Sequence, residues 1–551
     1  MKSLSTFLLL LWSVSFMFGI GDTITVQAFS FSDPSPEGWN TQYKKTVEFP
    51  DINTEYYKII MVQTLKCDKS TKADTFPCGE WDYIWHTKII IPKENSNDTF
   101  CIGSFVTPYG KRLNLGGETG WVWEYDITDY SPILKGKADV ISGNNQELLD
   151  LKFLFIIGKP VRNVLSVENI YPFGVYKYEH LSNDSILKTK EIILNINASA
   201  YMLRAIISGH GHNGPRNCCE WESKTHTYYS NKEVLFRWNV WKDCGFNAIY
   251  PQGGTWPFDR AGWCPGTKVD EYDFELTKKI KPGDTLQFDY GIEPYSDNGE
   301  KDGEFQMTHQ LFSYGIPNYQ TDCAIIDIIT PANKQEYTRL NPSCSNPVII
   351  IQNTGNNILK RVNILYGLHS GEKSTFIWNG RLDFLEKETI TLPIPDLSKL
   401  SDEQIFEVQI TKVNEIIDEN SLNNILVSKV KKPVVLPKEF IISVKTNNIN
   451  RSVENKTIIS NSTGQVLYLF DKYTDDKENF HQIKLDPGCY EFLFSDDMED
   501  GIMQHWWYWN TEKEKVGVSG KVKILSNDKN DELLSFPSDF GQELRLNFIV
   551  E

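Results

Sequence analysis

Leu151-Lys152-Phe153-Leu154-Phe155-Ile156 reads as a β-strand, a short aromatic and aliphatic run far below helix length. Tyr57-Lys58-Ile59-Ile60-Met61-Val62 and Leu286-Gln287-Phe288-Asp289-Tyr290 have the same character. Clusters of Gly, Pro, Asn and Asp separate such runs at intervals too short for long helices. The pattern predicts an all-β protein of sandwiches or barrels. A length of 551 residues, at roughly 150 per domain, allows about three to four domains.

The character of the strands changes past about residue 322. Val348-Ile349-Ile350-Ile351-Gln352-Asn353-Thr354-Gly355 leads to Val362-Asn363-Ile364-Leu365-Tyr366, then to Thr375-Phe376-Ile377-Trp378-Asn379-Gly380. About seven strands in roughly 110 residues fit one immunoglobulin-like sandwich, expected over 323–433. The order resembles the cell-adhesion-related bacterial domains that follow secreted enzymes. Pro433 and Pro437 punctuate a linker, and a further β-rich region is expected over 434–551. That region holds an acidic turn, Asp496-Asp497-Met498-Glu499-Asp500, for which a solvated hairpin or an oxygen-ligand calcium site are both open readings. It also holds His505-Trp506-Trp507-Tyr508-Trp509, either a core strand or a platform for sugar rings.

Net charge is −17, which argues against nucleic acid as a partner, because phosphate binding needs dense Lys and Arg. Aromatics reach 13%, with 15 Trp, and a sugar-bearing substrate suits them. Lys2, the apolar run from Phe7 and the small residues Gly19 and Gly21 predict a signal peptide over 1–21. No later run is long enough to span a membrane, so an exported protein without membrane insertion is expected, acting as a monomer. Ten cysteines in an oxidising compartment favour disulfides over metal, with the connectivity open.

Three motifs before residue 320 carry candidate chemistry. In Cys78-Gly79-Glu80-Trp81-Asp82-Tyr83, two carboxyls flank a Trp. As a strand, this segment puts Glu80 and Asp82 on one face and Trp81 on the other. Two carboxyls in different environments allow one to hold a proton while the other is ionised. In Ser208-Gly209-His210-Gly211-His212, followed by Cys218-Cys219-Glu220-Trp221, the histidines have metal-ligand spacing, with Met307 and His309 as further candidates. Hydrogen-bonded loop histidines are the preferred reading, and no metal or cofactor is expected. Trp256-Pro257-Phe258-Asp259-Arg260-Ala261-Gly262-Trp263-Cys264-Pro265-Gly266 offers a guanidinium fork beside stacking faces.

In this order the motifs resemble the peptide-N-glycosidase F family of secreted bacterial amidases, over roughly 22–320. The carrying elements are Cys78 to Asp82, Phe105 to Tyr109, Asp126 to Asp129, Cys218 to Trp221 with Thr225-His226-Thr227, and Asp259 to Gly266. The resemblance implies two side-by-side jelly-roll sandwiches, over 22–172 and 173–322, with the site at their interface. It implies a metal-free amidase acting on N-glycoproteins and N-glycopeptides, with Asp82 the principal catalytic carboxylate, Glu220 assisting through a water, and Arg260 positioning water and substrate. Trp263, Trp81 and Trp221 then line the sugar pocket, with Glu80, His210, His212 and Asp259 as further substrate-binding residues. Disulfides Cys67–Cys78 and Cys244–Cys264 are implied too, while Cys218 and Cys219 pair elsewhere or with each other. Ile156 stands where the family carries a further Glu. If that change removes catalysis, a glycan-binding or adhesion protein on the same scaffold is the alternative.

Overall fold

The computed structural model describes residues 20–551 apart from 39–40, 51–53, 72–74, 94–96, 213–217, 295–302, 341–343, 396–399, 402 and 449–450. Most of the expected signal peptide therefore lies outside the described residues. The chain is all-β, as its short strand-like runs predict, and its sheets pair into sandwiches. Among the described residues no helix is long and apolar enough to cross a membrane.

In the first sandwich one sheet runs in the order Thr23–Phe29, Glu147–Ile157, Tyr56–Cys67, Trp121–Asp126. Glu147–Ile157 contains the stretch quoted first, and its residues alternate between buried and half-buried, so Leu149, Leu151, Phe153 and Phe155 point into the core. The facing sheet orders Asn97–Val106, Ile84–Pro92, Gly136–Ser142 and Tyr43–Phe49, with the short Thr267–Lys268 added at the edge of Asn97–Val106. That added pair comes from the second half of the 22–320 region, so the ladder itself crosses between the two sandwiches. The second sandwich faces Glu271–Glu275, Ala200–His210, Glu304–Pro317 and Arg162–Lys177 against Lys190–Ile193, Thr285–Ile292, Lys224–Ser230 and Glu233–Val240. The strand Arg162–Lys177 spans the expected division at 172.

The core of the first sandwich continues into the seam with the second, which also keeps a core of its own around Leu203, Ile207, Tyr228 and Phe288. Phe312, Tyr314, Met202 and Val167 from the second pack with Phe153, Tyr130 and Ile102 from the first. Polar groups in this seam are matched in pairs. Tyr130 donates to Gln310 at 2.6 Å, Gln310 donates to the Cys101 carbonyl at 3.1 Å, and Arg204 reaches Asp129 at 3.1 Å. A buried polar group without such a partner costs about 1–3 kcal/mol, so the pairing fixes one register between the sandwiches.

Past Cys323 a three-stranded and a four-stranded sheet enclose a third core around Ile349, Val362, Trp378 and Phe406. A fourth core, around Phe440, Phe492, Ile524 and Phe548, lies between the last two sheets. The cysteines form Cys67–Cys78, Cys218–Cys219, Cys244–Cys264 and Cys344–Cys489. The even count does not close into five pairs: Cys101 and Cys323 are buried free thiols, each held in a strand of a different sandwich.

Phe312 has no exposed surface and meets Tyr130 edge-on at 5.2 Å across the seam. Phe312→Ala is expected to cost about 3–5 kcal/mol in urea unfolding. Because apolar and hydrogen-bonded contacts in this seam join the two sandwiches, the residues up to 322 should still unfold in one transition; separate melting of one sandwich would contradict that coupling.

Candidate active site

The three motifs converge where loops of the first two sandwiches meet. Residues 79–83 are a loop ahead of the strand Ile84–Pro92, not the strand expected from the alternation of Glu80, Trp81 and Asp82. The loop is tied down at both ends. Cys78 is bridged to Cys67, and the buried Gln146 amide accepts from the Glu80 and Trp81 N–H groups and donates to the Trp81 carbonyl. Gly79 has φ +84° and sits so close to Gln146 that a Cβ would lie 2.7 Å from its amide carbon. A side chain here is excluded both by the backbone and by space.

This packing separates the two acids. Glu80 accepts from Thr75 at 3.0 Å within the disulfide-closed loop. Asp82 instead accepts from the Tyr109 hydroxyl, at the end of the Phe105–Tyr109 element. Trp81 remains 51% exposed, an open aromatic face beside Asp82.

Arg260 organises the opposite wall. Its side chain has no exposed surface, and its guanidinium donates to the Glu220 carboxylate at 3.2 Å, the Phe258 carbonyl at 2.5 Å, and the carbonyl and hydroxyl of Thr255 at 2.8 and 3.0 Å. Trp221 and Trp263 stack against it at 4.2 and 4.9 Å. Thr255 in turn donates to the Tyr109 oxygen, completing a relay from Arg260 through Thr255 and Tyr109 to Asp82. Tyr109 and Thr255 are the residues that sequence reading missed. Tyr109 was visible as the last residue of a motif, whereas nothing in the sequence marks Thr255, which acts by where the fold puts it.

Several expected roles change with burial. Trp263 is buried, donates its indole N–H to the Gly209 carbonyl at 2.8 Å and stacks on His210. Asp259 accepts from the Cys244 N–H and the Trp241 indole and braces the loop. Arg260 has no exposed surface. His210 bonds Ser208 at 2.8 Å, and His212, largely exposed, lies 4.0 Å from Glu220. Met307 and His309 belong elsewhere: they meet each other at 3.0 Å inside the second core, where Tyr228 also bonds His309.

Ile156 is also remote. In the paired strands Glu147 lies opposite Cys67, next to the site's disulfide, while Ile156 lies opposite Lys58 at the other end. Nine residues of extended chain separate the two positions, about 30 Å. Its replacement leaves the Asp82 cluster untouched.

Electrostatics sets the two remaining carboxyls apart. Burial, reinforced by the Glu220 charge, pushes Asp82 up to about 6, against the opposing pull of Arg260 and the Tyr109 hydrogen bond. Burial and the nearby Arg260 charge hold His210 down at about 3, so it is neutral at pH 7. The arrangement can move a proton at Asp82 near neutral pH beside a fixed Arg–Glu pair.

Because folding raises this carboxyl, the folded state binds its proton more tightly than the unfolded chain does. Stability is therefore lost as pH rises from about 4 through about 6. Asp82→Asn removes that cost, and should stabilise the protein by about 1–3 kcal/mol at pH 8 and negligibly below pH 4. Urea unfolding of both proteins at the two pH values checks this; an equal effect at both would mean that Asp82 is not held protonated by burial.

Residues 177–312 match the family described as Peptide-N-glycosidase F, C terminal. The chain is 27% identical over 316 residues to the Peptide-N(4)-(N-acetyl-beta-D-glucosaminyl)asparagine amidase F of Elizabethkingia miricola, spanning 52% of this chain and 81% of that protein. Among solved structures, PNGase F from Flavobacterium meningosepticum, described as a glycosylasparaginase, is similar at 25% identity with a TM-score of 0.44, over 53% of this chain and 96% of its own. PNGF-II is similar at 16% identity and a TM-score of 0.39, over 54% and 66%. The match to Peptide-N-glycosidase F, C terminal, lies across Glu220 and Arg260, and the likeness to the amidase F covers about half of this chain.

Proposed function

We propose that this protein is a secreted N-glycan amidase. It hydrolyses the amide between a protein asparagine and the first N-acetylglucosamine, leaving Asp in the peptide and releasing the whole glycan as a glycosylamine. The observation that carries the reading is the pair of dissimilar carboxyls, Asp82 raised to about 6 and Glu220 held by a buried Arg260. Kinship with an asparagine amidase supports it.

Above its pKa, Asp82 takes a proton from water as the water oxygen attacks the asparagine side-chain carbonyl. The tetrahedral species then collapses, the C–N bond breaks, and the same proton passes from Asp82 to the departing nitrogen. Glu220 is half-buried and holds the attacking water from the far side, with Arg260 setting its orientation from beneath. The buried guanidinium also favours the negative oxygen that develops on the carbonyl, in surroundings where such a field is weakly screened. Trp81 and the half-buried Trp221 offer the faces for the reducing-end sugars.

A defined N-glycopeptide incubated with the full chain, and read by mass spectrometry, tests the reading. Peptide with Asp at the former Asn is expected, and Asp82→Asn should lower kcat by about 10³-fold or more while the protein folds. The acid limb of kcat/KM should fall near pH 6, where Asp82 becomes protonated. A peptide that keeps one N-acetylglucosamine would mean glycosidic cleavage instead, and an untouched glycopeptide would reject the amidase.

A further inference from the structure

The last sandwich touches the site's supporting loop through buried polar groups. Asp539 is 4% exposed and lies far along the chain from the catalytic motifs. One of its carboxylate oxygens accepts the indole N–H of Trp256 at 2.8 Å, and the other pairs with Arg112 at 2.8 Å. The Gln252 N–H also donates to this carboxylate. Around it the contact is close: the Gln542 N–H donates to the Gly245 carbonyl at 2.9 Å, and a Cβ on Gly541 would come within 2.3 Å of that same oxygen. Arg339, on the connection between the first two strands of the third sandwich, donates to the Asn247, Phe540 and Glu543 carbonyls, joining the loop to the last sandwich a second time.

The anchored loop is the one that needs anchoring. Between Val240 and Thr267 it has no strand, only an isolated bridge from Lys242 to Arg260 and the Cys244–Cys264 disulfide. Trp256, fully buried under Asp539, is the immediate neighbour of Thr255. Thr255 holds both the Arg260 guanidinium and the Tyr109 hydroxyl. Arg112, the other partner of Asp539, is three residues past Tyr109 and donates to the Gln252 carbonyl at 3.0 Å. Both sides of the relay to Asp82 are thus pinned to one carboxylate.

We propose that the C-terminal sandwich is part of the active-site scaffold, with Asp539 a positioning residue that fixes Thr255 and, through it, Arg260 and Tyr109 against Asp82. This rests on the amidase reading. Asp539 touches no substrate; it sets the geometry of groups that act on Asp82. A residue 283 positions from Trp256 in sequence then determines turnover at the cleft.

The test compares full-length Asp539→Ala and Asp539→Asn with the parent on the same glycopeptide. Asp539→Ala should lower kcat at least tenfold with KM changing less than threefold. The acid limb should move to higher pH, because Arg260 and Tyr109 both favour ionised Asp82 and both lose their hold. Asp539→Asn keeps an acceptor for the Trp256 indole and should recover part of kcat; it also serves where the alanine variant does not fold. An acid limb that stays or falls, or a kcat that drops only with the folded fraction, overturns the proposal. If the parent releases no glycan, the amidase reading fails separately. Hydrogen exchange over 244–260 then decides: faster exchange in Asp539→Ala upholds the anchoring, and unchanged exchange overturns it.

Discussion

A guanidinium without exposed surface must have its N–H groups matched inside the protein, since an uncompensated buried charge costs several kcal/mol. Arg260 matches four of its five N–H groups with a carboxylate, two carbonyls and a hydroxyl drawn from Glu220, Phe258 and Thr255, and packs against two indole faces. Those partners come from the loop after Cys219 and the loop before Gly262, and Thr255 adds Tyr109 from the first sandwich. Moving any one of these loops would strand a charge. The site's rigidity follows from this requirement more than from any ladder of backbone hydrogen bonds.

The same ion explains why two nearby acids behave differently. Glu220 faces Arg260 directly and its charge is matched. Asp82 stands one step removed, with the Tyr109 hydroxyl and its own backbone N–H as donors, and meets an Arg–Glu pair whose two charges act on it in opposite directions. Desolvation is then the largest influence on Asp82 and raises it to about 6. A full positive charge alone beside Asp82 would have pulled it down and made it a poor proton carrier at neutral pH. Pairing the arginine first leaves the second carboxyl adjustable.

The all-β class was legible because runs such as Leu151 to Ile156 hold their inward residues at every second position, and that period survives any tertiary context. The site was legible where chemistry is dense in one motif: Asp82, Glu220 and Arg260 do come together, with Trp81 and Trp221 at their side. What was not legible depends on burial. Trp263 and Asp259 sit in the richest motif, yet one indole and one carboxylate there are structural, because the loop's own backbone needs partners. The strand expected at Glu80 to Asp82 is a loop because Gln146 takes its N–H groups out of any ladder. Thr255 and Asp539 have no motif at all, and their place follows only from how distant segments pack.

A backbone without a ladder must still satisfy its polar groups. In the stretch from Val240 to Thr267 that need is met by side chains and by neighbouring chain: Asp259 on the Cys244 N–H, Asn247 on the Pro265 carbonyl, Arg339 on the Asn247 carbonyl, Asp539 on the Gln252 N–H. The first two are local and would hold in the first two sandwiches by themselves. The last two come from beyond residue 322. A loop whose inner face carries the site's arginine, and whose outer face is completed by later sandwiches, couples those sandwiches to the chemistry through hydrogen bonds of ordinary length. The extra domains are then read as the outer half of the loop's hydrogen-bonding shell.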